Sequence, residues 1–445
     1  MVSERFSKIG FILAASGSAI GLGNIWKFPY MTGENGGGAF VLIYLLTVVL
    51  IGVSIFIAES AMGRLSRADS VTAFEKLAPK NGHIWKFAGF MAFTGVLIFS
   101  FYTVVIGWIF KYLYVMLLEL PTNIEEAGAL FGNMVTQDIS TQMIFFTLAF
   151  FASFLVLTRG IKEGIEKLNL ILMPLLFIIL FFLLFYSFTL DGFGKSMSFL
   201  FVPDFSKVTS YSILAAVGQA FFTLSLGMGT IMTYSAALPK EANLVKSSFS
   251  VAFLDTAIAL VAGIVIFSII FNFGAEPSQG AGLVFISLPP LFNQMGFAGV
   301  LIGLAFFIAL IFAGLTSAIS IVEPTTRYLI DRFKLSRIKA LTILGVSTYT
   351  LGTIALLSNV ESTKSFSTLF GKGMFDLLDF TTSAILLPLG GLAIAIFVGF
   401  VMRKEDLLKL LGKEMSTPVF NTWYFLLKFI IPVCITIVLI NELFF

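Results

Sequence analysis

The sequence predicts an all-α polytopic membrane protein, arranged as an inverted repeat around two interrupted helices. Three observations predict it. The 445 residues are 58% hydrophobic and only 12% charged, where a soluble domain keeps about a quarter of its residues charged. The apolar residues gather into eleven runs of about twenty residues, the length an α-helix needs to cross a hydrocarbon core. Two of those runs, one in each half of the chain, carry clustered glycines and hydroxyls where an unbroken helix is expected.

The runs lie at roughly 9–34, 38–65, 85–118, 141–158, 165–188, 210–237, 246–273, 297–328, 338–357, 374–401 and 421–443. Lipid offers no partners for free backbone N–H and C=O groups, so a crossing helix breaks only where protein or a cavity receives them. The first run reads SGSAIGLGNIWKFPYMTGENGGG over residues 16–38, with Gly17, Gly21 and Gly23 near its middle and Pro29 beyond. Glycine leaves helical geometry cheaply and proline removes a donor. The sixth run carries TLSLGMG over residues 223–229. Paired Gly-interrupted helices in corresponding halves are the signature of a transporter site, with half-helix ends and bare carbonyls as ligands.

Orientation follows from Lys and Arg in the connecting loops. With the N-terminus cytoplasmic, 21 lie inside and 4 outside (Lys195, Lys207, Lys364, Lys372). Eleven crossings then put the C-terminus outside. A bacterial inner (cell) membrane is the expected location. Two outer loops are long enough for structure of their own: 188–209, and 274–296, which reads as a short re-entrant hairpin capping a vestibule. The net charge of +3 is dispersed among loops, which excludes a nucleic-acid surface, and no obligate protein partner is evident. With one histidine, His83 in an inner loop, and one cysteine, Cys434, the chain has no metal cluster or nucleophile motif and is not expected to be an enzyme.

Ionisable residues inside spans are costly and mark function. Lys27 and Asp379 fall at similar depth and form a candidate pair closing the outer mouth. Glu59 is placed to accept hydrogen bonds from an unwound backbone. Asp255 has no cation nearby in sequence, and a buried carboxylate needs one; a bound monovalent cation supplies it. Thr316 and Ser317 are paired hydroxyls in the apolar core, suited to a hard cation such as Na⁺, although such hydroxyls also bond back to their own helix.

The motifs GSAIGLGNIWKFPY, ENGGGAF, FFTLSLGMG and FAGLTSAI resemble those of the neurotransmitter:sodium symporters, from about Ile9 through the tenth run. The resemblance implies the LeuT fold in a single transporter domain over 1–445. Runs one to five (about 9–188) and six to ten (about 210–401) would be the inverted repeats, and the last (421–443) peripheral. It implies a first sodium held by Ala19, Asn24, Thr223, Asp255 and the substrate carboxylate. A second would be held by the carbonyls of Gly17, Ile20 and Ala313 with Thr316 and Ser317. It implies a substrate pocket of Ala19, Gly21, Gly23, Ile98, Tyr102, Phe222, Thr223, Ser225, Leu226, Gly227, Met228, Ser317 and Ile321. Tyr102 would hydrogen-bond the carboxylate and Phe222 would close over it.

Departures from the family pattern sharpen the expectation. Glycine at position 21, where monoamine carriers have aspartate, leaves room for the substrate's own carboxylate. Asp255 stands where many relatives have asparagine, and animal relatives add chloride beside residues matching Tyr44 and Gln219; a fixed charge makes that anion unnecessary. The family's N-terminal gate tryptophan is missing, with Phe6 the nearest aromatic, and Arg5 with Asp331 is the expected inner latch. Gly164 and Pro174, separated by nine residues, match relatives whose fifth helix unwinds at its inner end. The expectation is a symporter importing a hydrophobic or aromatic L-amino acid with two Na⁺ and no chloride, by alternating access. The alternatives are a transport-inactive amino acid sensor or an ion channel on the same fold.

Overall fold

In the computed structural model, described over residues 6–239, 242–277, 282–366, 368–369 and 371–444, the chain is almost wholly helical. Nine helices among the described residues are long and apolar enough to cross a membrane: Gly38–Ser66, Gly82–Val115, Ile139–Leu157, Ile161–Ser187, Leu244–Asn272, Gly296–Phe333, Arg337–Leu357, Met374–Val401 and Thr417–Asn441. They match nine of the eleven expected runs, and are called here spans two to five and seven to eleven. The other two expected runs are the interrupted ones. Span one is Lys8–Ala19 followed by Gly23–Glu34, bent by 45° at the break. Span six is Ser210–Thr223 followed by Thr230–Ala236, with six residues of turn between.

Local chemistry sets the helix ends. Ser7, Asp138, Asn243 and Ser336 each cap the span they precede by accepting a backbone N–H from the first turn, which satisfies donors that have no partner inside the helix. Thr209 and Ser212 form a reciprocal capping box at the start of span six. Span eight runs five residues past its expected end, to Phe333, on the polar stretch that holds the Arg327–Asp331 pair.

Around the breaks span eight packs on spans one, three, five and six, and spans five and seven pack on span one. Span five turns Phe181, Phe182 and Phe185 outward, as lipid-facing residues do. The outer loop 188–209 contains the helix Phe193–Phe201. Within 274–296, where a hairpin is expected, the described residues hold one short apolar helix, Leu283–Gln294. Pro289 and Pro290 open its α-helical part, Leu288–Gln294, where missing N–H groups cost little, and Gly280 lies outside the described residues. His83 is exposed, as expected.

Candidate substrate and sodium site

The two breaks face each other, and side chains answer the backbone groups they free. Ile20 leaves the helix at ψ 97°. Beyond it the Gly21 N–H donates to Asn24 Oδ1 at 3.0 Å and the Leu22 N–H to the Tyr102 hydroxyl at 2.9 Å. The Gly23 carbonyl accepts from Gln219 Nε2 at 2.6 Å. In span six the turn is made by Ser225, Gly227 and Gly229, all at positive φ (54°, 76° and 76°). For a serine that conformation costs on the order of 1 kcal/mol. Its hydroxyl offsets the cost by donating to the Ser18 carbonyl across the gap at 2.9 Å. The Gly227 N–H donates to Glu59 Oε1 at 2.8 Å, the role the sequence predicts for this buried carboxylate.

Asp255 joins the two breaks. Its carboxylate accepts from Asn24 Nδ2 at 2.7 Å and from the Thr223 hydroxyl at 2.9 and 3.2 Å. Three of the four expected first-sodium residues therefore meet at one buried carboxylate, and the fourth, Ala19, lines the adjoining cavity. The second expected set is more occupied with itself. Thr316 donates to the Phe312 and Ala313 carbonyls at 2.8 and 3.1 Å, and Ser317 to the Ser18 carbonyl at 3.0 Å. A hydroxyl that donates its proton this way keeps its oxygen lone pairs for a cation. Ile20, at the break, is buried, and Gly17 presses against Asn169.

One cavity lies between the breaks. Its walls are Ala19, Gly21, Gly23, Ile98, Tyr102, Phe222, Ser225, Met228, Ser317 and Ile321, ten of the thirteen residues expected there. The remaining three contribute otherwise: Thr223 turns to Asp255, Leu226 is fully buried behind the wall, and Gly227 offers its N–H to Glu59. The cavity measures about 10 Å³, room for roughly one water. Anything larger than a water enters only when side chains part, and the Phe222 ring, packed over Gly23, is one of them.

Above this cavity Lys27 Nζ reaches Asp379 Oδ1 at 3.2 Å and stands 4.5 Å from the Phe222 ring centre. Ser383 donates to the same carboxylate oxygen at 3.0 Å. The expected outer pair is thus formed, over the aromatic lid, beneath a polar vestibule of about 510 Å³. The expected inner latch falls on Arg5, which lies outside the described residues; Asp331 accepts from Arg327, one turn earlier, at 2.8 Å. An i,i+4 partner on the same helix forms without closing any loop. At the inner end of span one the packing is aromatic. Phe6 is buried, edge-on to Tyr234 with centres 5.2 Å apart, and its N–H donates to the Ala237 carbonyl at 3.2 Å. Gly164 belongs to a π turn, Ile161–Glu166, and Pro174 lies within the helix that follows. Ser18 and Asn169 escaped the sequence reading, since a lone serine or asparagine in an apolar run carries no pattern.

Comparison with known proteins agrees with this geometry. The model of the sodium:neurotransmitter symporter family matches residues 4–126 and 118–444. An uncharacterized sodium-dependent transporter of Bacillus subtilis, YhdH, is 39% identical, covering 98% of this chain and 96% of its own. One from Haemophilus influenzae is 36% identical over 98% and 97%. The crystal structure of MhsT in complex with L-phenylalanine superposes with a TM-score of 0.91 at 42% identity, covering 99% of both chains. Two broken helices facing one buried carboxylate, in a chain similar to these along its whole length, mean that this protein belongs to the sodium:neurotransmitter symporter family and is a sodium-dependent membrane transporter, not an enzyme.

Proposed function

We propose that the protein imports a hydrophobic or aromatic L-amino acid together with two Na⁺, without chloride, by alternating access between two inverted five-helix repeats. The observation that carries this is the wall of the cavity between the breaks. It presents Ile98, Phe222, Met228 and Ile321 to a side chain and no charged residue. At the other end Gly21 leaves room for a carboxylate, beside a Tyr102 hydroxyl whose own proton is free to donate once it has accepted from Leu22. The L-phenylalanine bound to MhsT supports the same class.

Sodium couples in two ways. At Asp255, Asn24 and Thr223 the first ion also touches the substrate carboxylate, so each raises the affinity for the other. At Thr316 and Ser317 the second ties span eight to span one, and its departure releases the inner half of span one. Two charges moving with a zwitterion gain roughly 4–5 kcal/mol per 100 mV. Chloride independence rests on Asp255, which supplies a fixed negative charge beside Tyr44. The loop charge asymmetry supports a cytoplasmic N-terminus, an external C-terminus and residence in the cell membrane.

The test is uptake of each labelled amino acid into proteoliposomes, with sodium or potassium outside and chloride or gluconate as anion. Sodium-dependent accumulation of Phe, Trp, Tyr or Leu, equal in both anions, is expected. A strict chloride requirement, or preference for a charged amino acid, overturns it. Ion current without accumulation marks a channel, and binding without uptake a sensor.

A further inference from the structure

Spans one and five touch at two glycine notches beneath the sodium site. Gly10 and Gly17 lie about two turns apart on one face of span one, and Glu166 and Asn169, about one turn apart on span five, face them. A Cβ on Gly10 would collide with the Glu166 carboxylate, and one on Gly17 with Asn169 Oδ1. Glu166 is 5% exposed, deep for a carboxylate outside the sodium site. Its Oε1 accepts from the Ser7 N–H at 3.2 Å and from the Ser7 hydroxyl at 2.6 Å. That hydroxyl oxygen in turn accepts from the Gly10 N–H at 2.9 Å. The residue capping span one is therefore itself held by a carboxylate of span five, placed where the positive end of the span-one helix favours an anion.

We propose that Glu166 is a positioning residue that latches the inner half of span one to span five, and that rearrangement of the Gly164–Pro174 segment opens the inner gate by withdrawing it; this rests on the alternating-access reading above. Glu166 is the last residue of the π turn Ile161–Glu166, entered through Gly160 at φ 85°. A π turn inside a helix is a weak place in its hydrogen-bond ladder, and Pro174 removes one more bond above it. When this segment loosens, Ser7 loses its acceptor, the first turn of span one loses its brace, and the notch contacts at Gly10 and Gly17 part together. The latch ties the opening of span five to the swing of span one through one carboxylate, without requiring the two helices to share a ligand ion.

The test uses the full-length protein in proteoliposomes with Cys434→Ala and a reporter Ala237→Cys, which lies behind Phe6. A membrane-impermeant maleimide is applied from the inner side in saturating sodium. Glu166→Ala, Ser7→Ala and Gly10→Ala are each expected to raise the labelling rate about tenfold, the scale of one charge-assisted hydrogen bond. Glu166→Gln, which keeps an acceptor oxygen, restores most of the protection. The Glu166→Ala, Ser7→Ala double variant labels no faster than the quicker single variant, since one contact is removed twice. Sodium-dependent binding of labelled phenylalanine reports that each variant is folded. If Glu166→Ala does not fold, Ser7→Ala and Gly10→Ala decide alone. Unchanged labelling in those two, or additive effects in the double variant, overturns the latch. Uptake by the unsubstituted protein tests the transport reading separately, so the two fail independently.

Discussion

Asp255→Asn is the substitution that isolates the first sodium. The carboxylate is fully buried and accepts from Asn24 Nδ2 at 2.7 Å and from the one Thr223 hydroxyl proton shared between its two oxygens at 2.9 and 3.2 Å. Asparagine keeps the shape and one acceptor oxygen, but loses the charge and turns an NH₂ group toward donors already aimed at that point. A unit charge about 4 Å from a cation contributes roughly 4 kcal/mol at an effective dielectric constant near 20. The amide dipole recovers about half of that, leaving a loss of about 2 kcal/mol, or roughly 30-fold in sodium affinity. The assay is sodium titration of labelled phenylalanine binding by scintillation proximity, in chloride-free buffer. The curve should shift right and split into two phases, because the second ion does not touch Asp255. Restoring chloride should recover part of the loss by returning a negative charge to the neighbourhood of Tyr44. Half-saturation within about threefold of the unsubstituted protein would falsify the assignment.

Three further outcomes are expected. Pro174→Ala restores a helical N–H in the inner part of span five and should slow turnover several-fold while leaving amino acid binding within about twofold; unchanged turnover in solute-exchange assays removes the hinge. Met228→Phe narrows the cavity wall and should penalise Trp uptake by at least about tenfold more than Leu uptake, on the scale of overpacking a filled site; equal losses displace Met228 from the side-chain wall. Phe6→Ala deletes the aromatic plug against Tyr234 and Phe11, and should raise inner-side thiol labelling at position 237 while lowering accumulation more than binding; a silent Phe6→Ala means the inner closure lies elsewhere.

Much of the site was legible because its chemistry conflicts with its surroundings. Glycines, an asparagine, a lysine and paired hydroxyls inside apolar runs have no place in a lipid-facing helix. Gly21, Gly23 and Ser317 line the cavity, Asn24 faces Asp255 and Lys27 forms the outer pair, while Gly17 meets Asn169 and Thr316 bonds back to its own helix. The Lys27–Asp379 pair was readable for the same reason, from matched depth alone. The Arg327–Asp331 pair escaped the sequence because an i,i+4 pair at the polar end of a span conflicts with nothing around it; Arg5, its expected partner, lies outside the described residues. The helix Leu283–Gln294 was not legible because a proline pair suits a bend as much as a helix start, and only the packed position distinguishes them.

Composition and periodicity by themselves determined the membrane environment, the succession of spans, and the two places where helices break, because each is a property of a short stretch set against lipid. Only the tertiary structure decided that Asn24 and Thr223 converge on Asp255, that Phe6 seals against Tyr234, and that Glu166 holds the cap of span one. Those contacts join residues far apart along the chain, and a hydrogen bond between them exists only once the intervening helices have packed. The pattern of one helix carries no record of which face of another it will meet.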